Sequence, residues 1–269
     1  MIDRRKVRDS FGRQAYDYEN HASIQKRVLA GFLELLKNEG LHPRRLLDVG
    51  SGTGMLLRSL RRVYGDACAV GIDLAMGMSR NARENMESDG RTHILTADAE
   101  NLPFPDATFD LVLSTSTFQW LAELDAAFGE ALRVLTPGGL FCFALFGEKT
   151  LYELRASYRS ALAALSCIEK DHTHTFRSQE NVKSALTRAG FTGCRVSSTL
   201  ERETHGDVRG LLSSLKRIGA GNASPIKPRG LAGKRIMLDM MRRYTDDFGN
   251  DAGITASYEI IYGVGRKAV

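Results

Sequence analysis

The stretch "LLDVGSGTG" (46–54) decides how the rest of the chain is read. An apolar run ends on an acid, Asp48, and opens into Gly50, Gly52 and Gly54, with Ser51 and Thr53 between them. A buried strand that stops at a glycine-rich turn, followed by the apolar-periodic segment 55–63, predicts a strand–loop–helix unit. Glycines let the backbone of such a loop come close to a ligand. Dinucleotide folds require G-x-G-x-x-G, with the third glycine inside the helix. Here the spacing is G-x-G-x-G and residue 55 is methionine. A carboxylate two residues before the first glycine repels a pyrophosphate and attracts ammonium or sulfonium charge.

Outward from this loop the pattern alternates. Strands are expected over 46–48, 69–73, 93–97, 109–114 and 140–146, and helices over 55–63 and 76–86. Leu124, Phe128, Ala131, Leu132 and Leu135 recur at helical spacing, and "TPGG" (136–139) is expected to break that helix before the next strand. Beyond 148 the rhythm is interrupted by a helix over 151–165 and a polar loop, then resumes with a helix over 180–189 and a strand over 194–199. Residues 205–250 carry no strand pattern, and 258–264 alternates as a final strand. The predicted fold is α/β: a doubly wound, mainly parallel seven-stranded sheet with helical lid insertions. The expected organisation is an N-terminal helical lid segment (1–40), a ligand-binding core (41–148) and a helical insertion (149–175). More core (176–204), a basic helical lid insertion (205–252) and a last core strand (253–269) complete it.

Composition narrows the class. The 269 residues suffice for one α/β core with insertions, and 43% hydrophobic with 26% charged residues is ordinary for a globular protein. A net charge of +5 is too modest to imply general nucleic-acid affinity. No apolar run approaches the roughly 18 residues of a membrane span, and no apolar segment follows the charged start "MIDRRKVRDS", so a cytoplasmic location is expected. Cys68, Cys142, Cys167 and Cys194 form no CxxC pair; those at 68, 142 and 194 sit in or beside apolar segments, as buried thiols do. His172 and His174 in "DHTHT" lack Cys or acid partners at metal-site spacing, and no metal is expected.

D-x-G-x-G-x-G (48–54) resembles the first motif of the class I methyltransferases that use S-adenosylmethionine. Three further elements fall in register with it. Asp73 ends the second strand at the distance where a carboxylate accepts from both hydroxyls of a ribose, with Leu74 beside it; its other use would be a helix N-cap. In "TADAENLPF" (96–104), Asp98 resembles the family's adenine contact, with the Ala97 and Ala99 backbone along the base. "FDLVLSTSTFQW" (109–120) resembles the fourth motif and implies that Ser114, Gln119 and Trp120 lie near the sulfonium; Trp120 would also suit a core. The resemblance implies cofactor contacts from Asp48, Gly50, Ser51, Gly52, Gly54, Asp73, Leu74, Asp98, Ala99 and Ser114.

The flanks resemble a narrower group. "SFGRQAYDYENHASIQ" (10–25), "STFQW" (116–120), "LYEL" (151–154) and "LLSSLKRIGAGNA" (211–223) are similar to the malonyl-acyl-carrier-protein O-methyltransferases of biotin synthesis. A related group that acts in complex I assembly shares parts of this likeness. The resemblance implies transfer of a methyl group to the free carboxylate of a malonyl thioester on acyl-carrier protein. The products are S-adenosylhomocysteine and a methyl ester that primes pimeloyl synthesis; no nucleic acid or membrane partner is implied.

That carboxylate is ionised at neutral pH, so no strong base is needed. Charge is lost toward the transition state, which favours a dry enclosure. Phe11, Tyr16, Tyr18 and His21 are expected to build one, with Tyr18, which matches the family's tyrosine, on the acceptor side and His21 on the same helix face. Tyr18, Gln119 and Trp120 are the expected catalytic set; Arg155, Lys216 and Arg217 are candidates for holding the carboxylate. Between His205 and Tyr244, nine Lys and Arg face two acids, and Met237, Met241, Tyr244 and Phe248 are spaced as an apolar helix face. A basic rim of this kind suits an acidic carrier protein. A small-molecule methyltransferase acting on a quinone-like precursor, a cofactor-binding assembly factor and an oxidoreductase remain as other readings.

Overall fold

In the structure, a computed structural model, residues 2–86, 90–164, 173–221 and 230–269 are described, those of 230–232 without their side chains. Alternate residues of each central strand feed two separate cores. Leu46, Leu111, Leu113 and Cys142 point to one face, where Phe32 and Leu36 cover them; Leu47, Val112, Phe141 and Phe143 point to the other, under Phe128. The strand period of two produces this division, and burial on both faces explains the continuous apolar runs in the sequence.

Strand β1 (Arg45–Val49) lies between β2 (Cys68–Asp73) and β4 (Phe109–Thr115). β3 (Thr92–Thr96) forms one edge beyond β2, and β5 (Leu135–Phe146) follows β4, all in parallel. The antiparallel β8 (Gly253–Arg266) then separates β5 from β6 (Thr192–His205), giving the order β3-β2-β1-β4-β5-β8-β6. A two-residue β7 (Gly249–Asn250) pairs with β8, so the seven long strands gain a short eighth that the sequence pattern does not reveal. Strand order reverses between β1 and β4, and in such sheets the crevice at that reversal, beyond the carboxyl ends, holds the ligand.

The helices that bound this crevice are α1 (Arg4–Gln14), α2 (Tyr18–His21), α4 (Met55–Val63) and α5 (Met76–Asn85). α3 (Ser23–Asn38) packs across the sheet, α6 (Asp125–Val134) and α8 (Gln179–Arg188) cover the second core, and α7 (Tyr152–Ala164), α9 (Val208–Arg217) and α10 (Gly230–Phe248) join the first. α1 is seated on α5 where two glycines meet. A Cβ added to Gly77 would come within 2.4 Å of the Gly12 carbonyl oxygen, so any side chain there would lift the helix.

Three local expectations are corrected. "TPGG" does not break a helix ahead of β5 but belongs to that strand; Leu135 pairs with Phe109, the register shifts, and Gly138 adopts φ +76° in the irregular stretch. β6 is eight residues longer than the expected 194–199, with six of them beyond Thr199, because its partner β8 starts at Gly253, well before the alternating run that marks it in sequence. The apolar face of α10 centres on Ile236, Met240 and Tyr244, which are buried, while Met237, Met241 and Phe248 are only partly covered. The Tyr244 hydroxyl donates to the Thr255 carbonyl at 2.8 Å, which fixes α10 to β8. Of the cysteines, Cys142 is buried and Cys68 and Cys194 are half-buried; Cys167 lies outside the described residues.

Candidate active site

The glycine loop is shaped by what it must fit around. The backbone N–H groups of Gly50 and Ser51 both donate to the Ile72 carbonyl at 2.8 Å, which folds the loop over the end of β2. Gly50 has φ +76°, and a Cβ there would lie 2.0 Å from Thr117 Oγ1, so only glycine fits. Gly54, at φ +83°, turns the chain into α4. The Gly52 N–H donates to Asp73 Oδ2 at 3.0 Å, and Asp73 Oδ1 accepts from the Ala75 N–H at 2.8 Å. Asp73 therefore braces the loop and the turn into α5 with one side chain, while lining the cavity beside them.

Two buried carboxyls stand at this point. Asp48 is 1% exposed, and among the described residues neither of its oxygens has a hydrogen-bond partner. Burial, reinforced by the Asp73 charge, pushes its pKa up to about 8 from an ordinary 3.8. Burial raises Asp73 to about 6, against the lowering effect of the Ala75 and Gly52 bonds. An acid kept from water with no partner costs stability. A ligand that brings positive charge to the crevice relieves that cost.

The cavity and its open mouth together span about 800 Å³. Gly50, Gly52, Asp73 and Leu74 form one wall, Ala97, Asp98 and Ala99 a second, and Thr115, Ser116, Thr117, Trp120 and Leu121 a third. Arg4, Val7, Arg8, Phe11 and Tyr18 form the roof. Ring contacts join roof to wall: Phe11 lies 6.3 Å from Tyr18 and meets Trp120 edge-on at 5.6 Å, centroid to centroid. Arg4 forms ion pairs with Asp98 and Glu100 and thereby closes the second wall.

Of the residues named from sequence, Tyr18, Gly50, Gly52, Asp73, Leu74, Asp98, Ala99 and Trp120 line this cavity. Others do not, for identifiable reasons. Ser114 is fully buried and donates to the Val49 carbonyl at 2.7 Å, tying β4 to β1. Gln119 turns inward and donates to the Ser116 carbonyl at 2.6 Å. Ser51 is buried behind the loop, Gly54 packs on Met86, and Asp48 lies beneath the floor. His21 pairs with Asp17 at 2.8 Å, and Tyr16 is 72% exposed; neither faces the cavity.

Arg155 donates to the Glu148 carbonyl and its guanidinium stands 5.8 Å from the Phe176 ring centroid, off the cavity wall. Lys216 and Arg217 are exposed at the end of α9. His174 packs 5.1 Å from Trp120, and burial, with Arg155 and Arg177 nearby, lowers its pKa to about 4; it is neutral at physiological pH. His172 lies outside the described residues. Sequence reasoning missed Arg4, Arg8 and Ser116. Ser116 adopts φ +55°, rare for a residue with a side chain, and no local signal announces it.

A family profile described as a methyltransferase domain matches residues 47–143. The malonyl-[acyl-carrier protein] O-methyltransferase of Geobacter sulfurreducens is 52% identical over 267 residues, covering 99% of this chain and 100% of the relative. The chain belongs to that family. The enzyme of the same name from Methylovorus sp. is 37% identical, over 98% of this chain and 88% of its own. Among solved structures, a methyltransferase of Bacillus halodurans superposes with a TM-score of 0.63 at 18% identity, over 89% of this chain and 100% of the other. Phosphoethanolamine N-methyltransferase 2 of Haemonchus contortus gives a TM-score of 0.57 at 20% identity, over 89% of this chain and 53% of its own. At those identities the likeness shows the fold.

The family member is an S-adenosylmethionine-dependent methyltransferase, and the residues present fit that cofactor. Each carboxylate oxygen accepts more than one hydrogen bond, so Asp73 keeps capacity for two ribose hydroxyls. Asp98 engages Arg4 and the Glu100 N–H through Oδ1, which leaves Oδ2 for the base. Asp48, beneath the glycine loop, is placed to ionise where an ammonium and a sulfonium bring positive charge.

Proposed function

We propose that this chain methylates the free carboxylate of a malonyl group carried as a thioester on acyl-carrier protein, and that the methyl ester serves as the primer for pimeloyl and biotin synthesis. The observation that carries this reading is the likeness along the whole chain, at 52% identity, to a malonyl-[acyl-carrier protein] O-methyltransferase. It extends through α1, α2 and α9, the segments in which methyltransferases of different acceptors differ.

The site suits an acceptor that is already an anion. Among the described residues no histidine lines the cavity, and burial holds the Tyr18 phenol well above its ordinary range, so it stays protonated and donates. Bound S-adenosylmethionine supplies an electrophilic methyl on a sulfonium. The remaining work falls to the protein: Phe11, Tyr18 and Trp120 exclude water from the end of the crevice, and the Tyr18 hydroxyl orients the acceptor carboxylate. A hydrogen bond to a charged group contributes about 1.5–3 kcal/mol, so Tyr18→Phe is expected to lower kcat/KM by about 10- to 100-fold. Affinity for S-adenosylhomocysteine should stay within about threefold. Equal loss in both measurements would return Tyr18 to packing.

The carrier is read from charge. Arg242 and Arg243 are engaged with Asp239, each at 2.7 Å, whereas Lys234 and Arg235 stand exposed two turns earlier on α10. Exposed Arg209, Lys216 and Arg217 on α9 extend the basic face; Lys227 and Arg229 lie outside the described residues. An acidic carrier is steered by such a face, and the effect falls with salt. Reversing Lys234 and Arg235 to Glu should raise KM for malonyl-carrier protein about tenfold at low salt and leave turnover of a malonyl coenzyme A thioester unchanged. A small-molecule enzyme would show no such split. Transfer of labelled methyl from S-adenosylmethionine to malonyl-carrier protein tests the reading directly, and absence of an ester product overturns it in favour of an assembly role.

A further inference from the structure

Tyr18 is followed by a residue whose bonds lead straight back to the glycine loop. Glu19 Oε1 accepts from the Thr53 hydroxyl at 2.6 Å and from Arg58 Nη2 at 2.7 Å, and its Oε2 accepts from the same Nη2 at 2.8 Å. Arg58 Nη1 closes the ring by donating to the Thr53 carbonyl at 2.9 Å. Thr53 lies between Gly52 and Gly54 and is 1% exposed, so one member of the ring is fixed within the glycine loop. Glu19 and Arg58 are each 33% exposed in their side chains. Partial cover of this kind strengthens a charge-assisted pair beyond a freely solvated one.

We propose that Glu19 is a positioning residue: through Thr53 and Arg58 it locks α2 onto the glycine loop and so holds Tyr18 over the reacting end of the crevice. The loop that receives the cofactor and the roof that closes over it become one rigid unit. From Tyr18 the connection runs through Glu19 to Thr53, and from the neighbouring Gly52 to Asp73. The roof's other attachments, Arg4 to Asp98 and Glu100 and the Gly12–Gly77 contact, hold α1 rather than α2. Without the Glu19 ring, α2 keeps its packing on α9 and the burial of Tyr18 but loses its side-chain connection to the loop. Misplacing an orienting group by an ångström costs up to about 100-fold in rate without removing any contact to the cofactor.

This inference rests on the proposed malonyl transfer only for its rate measurement. Its other readout is built into the chain, whose one tryptophan, Trp120, lines the same cavity as Tyr18 and meets Phe11, the ring beside Tyr18. In Glu19→Ala and in the isosteric Glu19→Gln, emission from Trp120 should shift to the red, and acrylamide should quench it about twofold more effectively, with no acceptor present. With malonyl-carrier protein, kcat should fall about tenfold while the Kd for S-adenosylhomocysteine moves less than about threefold. Combining Glu19→Gln with Tyr18→Phe should cost little beyond Tyr18→Phe alone, because Glu19 acts through Tyr18. Arg58→Lys, which retains one bond, should recover part of the rate lost in Arg58→Ala. Unchanged Trp120 quenching in Glu19→Gln overturns the assignment, as do additive losses with Tyr18→Phe. If the unmodified protein yields no malonyl ester, the substrate reading falls, and Trp120 quenching still decides the role of Glu19.

Discussion

Asp48→Asn is expected to melt at a higher temperature than the unmodified protein at pH 8 and to lose about 100-fold in affinity for S-adenosylmethionine. Both effects come from one carboxyl. Asp48 is buried with no hydrogen-bond partner among the described residues, and its pKa is pushed up to about 8, with 3.8 as the ordinary value. Between those limits the folded protein binds more protons than the unfolded chain, so stability falls as pH rises across that window. An amide carries no ionisation to suppress, and the same penalty disappears. The gain should vanish as pH falls below about 3, where the wild-type carboxyl is protonated in both states, and should reach at least about 3 °C at pH 8. The loss of affinity has the opposite origin. A ligand with ammonium and sulfonium charges draws Asp48 into its ionised form, and asparagine has no charge to offer. Calorimetric melting as a function of pH, alongside isothermal titration, checks both halves. Equal melting temperatures at pH 8 would mean that Asp48 is solvated or paired in solution.

Asp73→Ala should weaken S-adenosylhomocysteine binding by at least about 100-fold. Two contributions act together. The ribose hydroxyls lose a charged acceptor, each bond contributing about 1.5–3 kcal/mol. The loop also loses its brace, since Asp73 accepts from both the Gly52 and Ala75 N–H groups. Asp73→Asn separates the two, because the amide oxygen retains one of those backbone bonds while the charge is removed. Its affinity should fall between those of the wild type and Asp73→Ala. Titration showing the same Kd for all three proteins would remove Asp73 from the site. Melting alone would be a poor test, because burial places Asp73 at about 6, and loss of that strained ionisation offsets part of the lost bracing.

How far the site could be read in advance depends on where each residue gets its role. Asp73 and Asp98 were legible because a parallel strand ends at a defined point, and residues at or just past that end face the crevice: Asp73 is the last residue of β2, and Asp98 lies two beyond the end of β3. Gly50 and Gly52 were legible for a similar reason, as positive φ leaves a signature in residue type. Ser114 and Gln119 were misplaced because a motif specifies their position along the chain but not the direction of the side chain. Ser114 turned to the Val49 carbonyl and Gln119 to the Ser116 carbonyl. Arg155, Lys216 and Arg217 were chosen by charge, which any solvated surface also displays, and none reached the cavity.

By itself the sequence determined the doubly wound sheet, the order of its core elements, the methyl-donor loop and the family. The sheet, its element order and the glycine loop follow from spacing over a few residues, where backbone geometry dictates the outcome, whereas the family rests on the resemblance of motifs along the chain. Only the tertiary structure decided what closes the site. Arg4 meets Asp98 across 94 residues, and Glu19 meets Arg58 across 39. Pairings over such distances depend on how α1 and α2 settle on the sheet, a matter of packing that no local periodicity encodes. The elevated pKa of Asp48 belongs to the same class, because burial is a property of everything folded around a residue rather than of its neighbours in the chain.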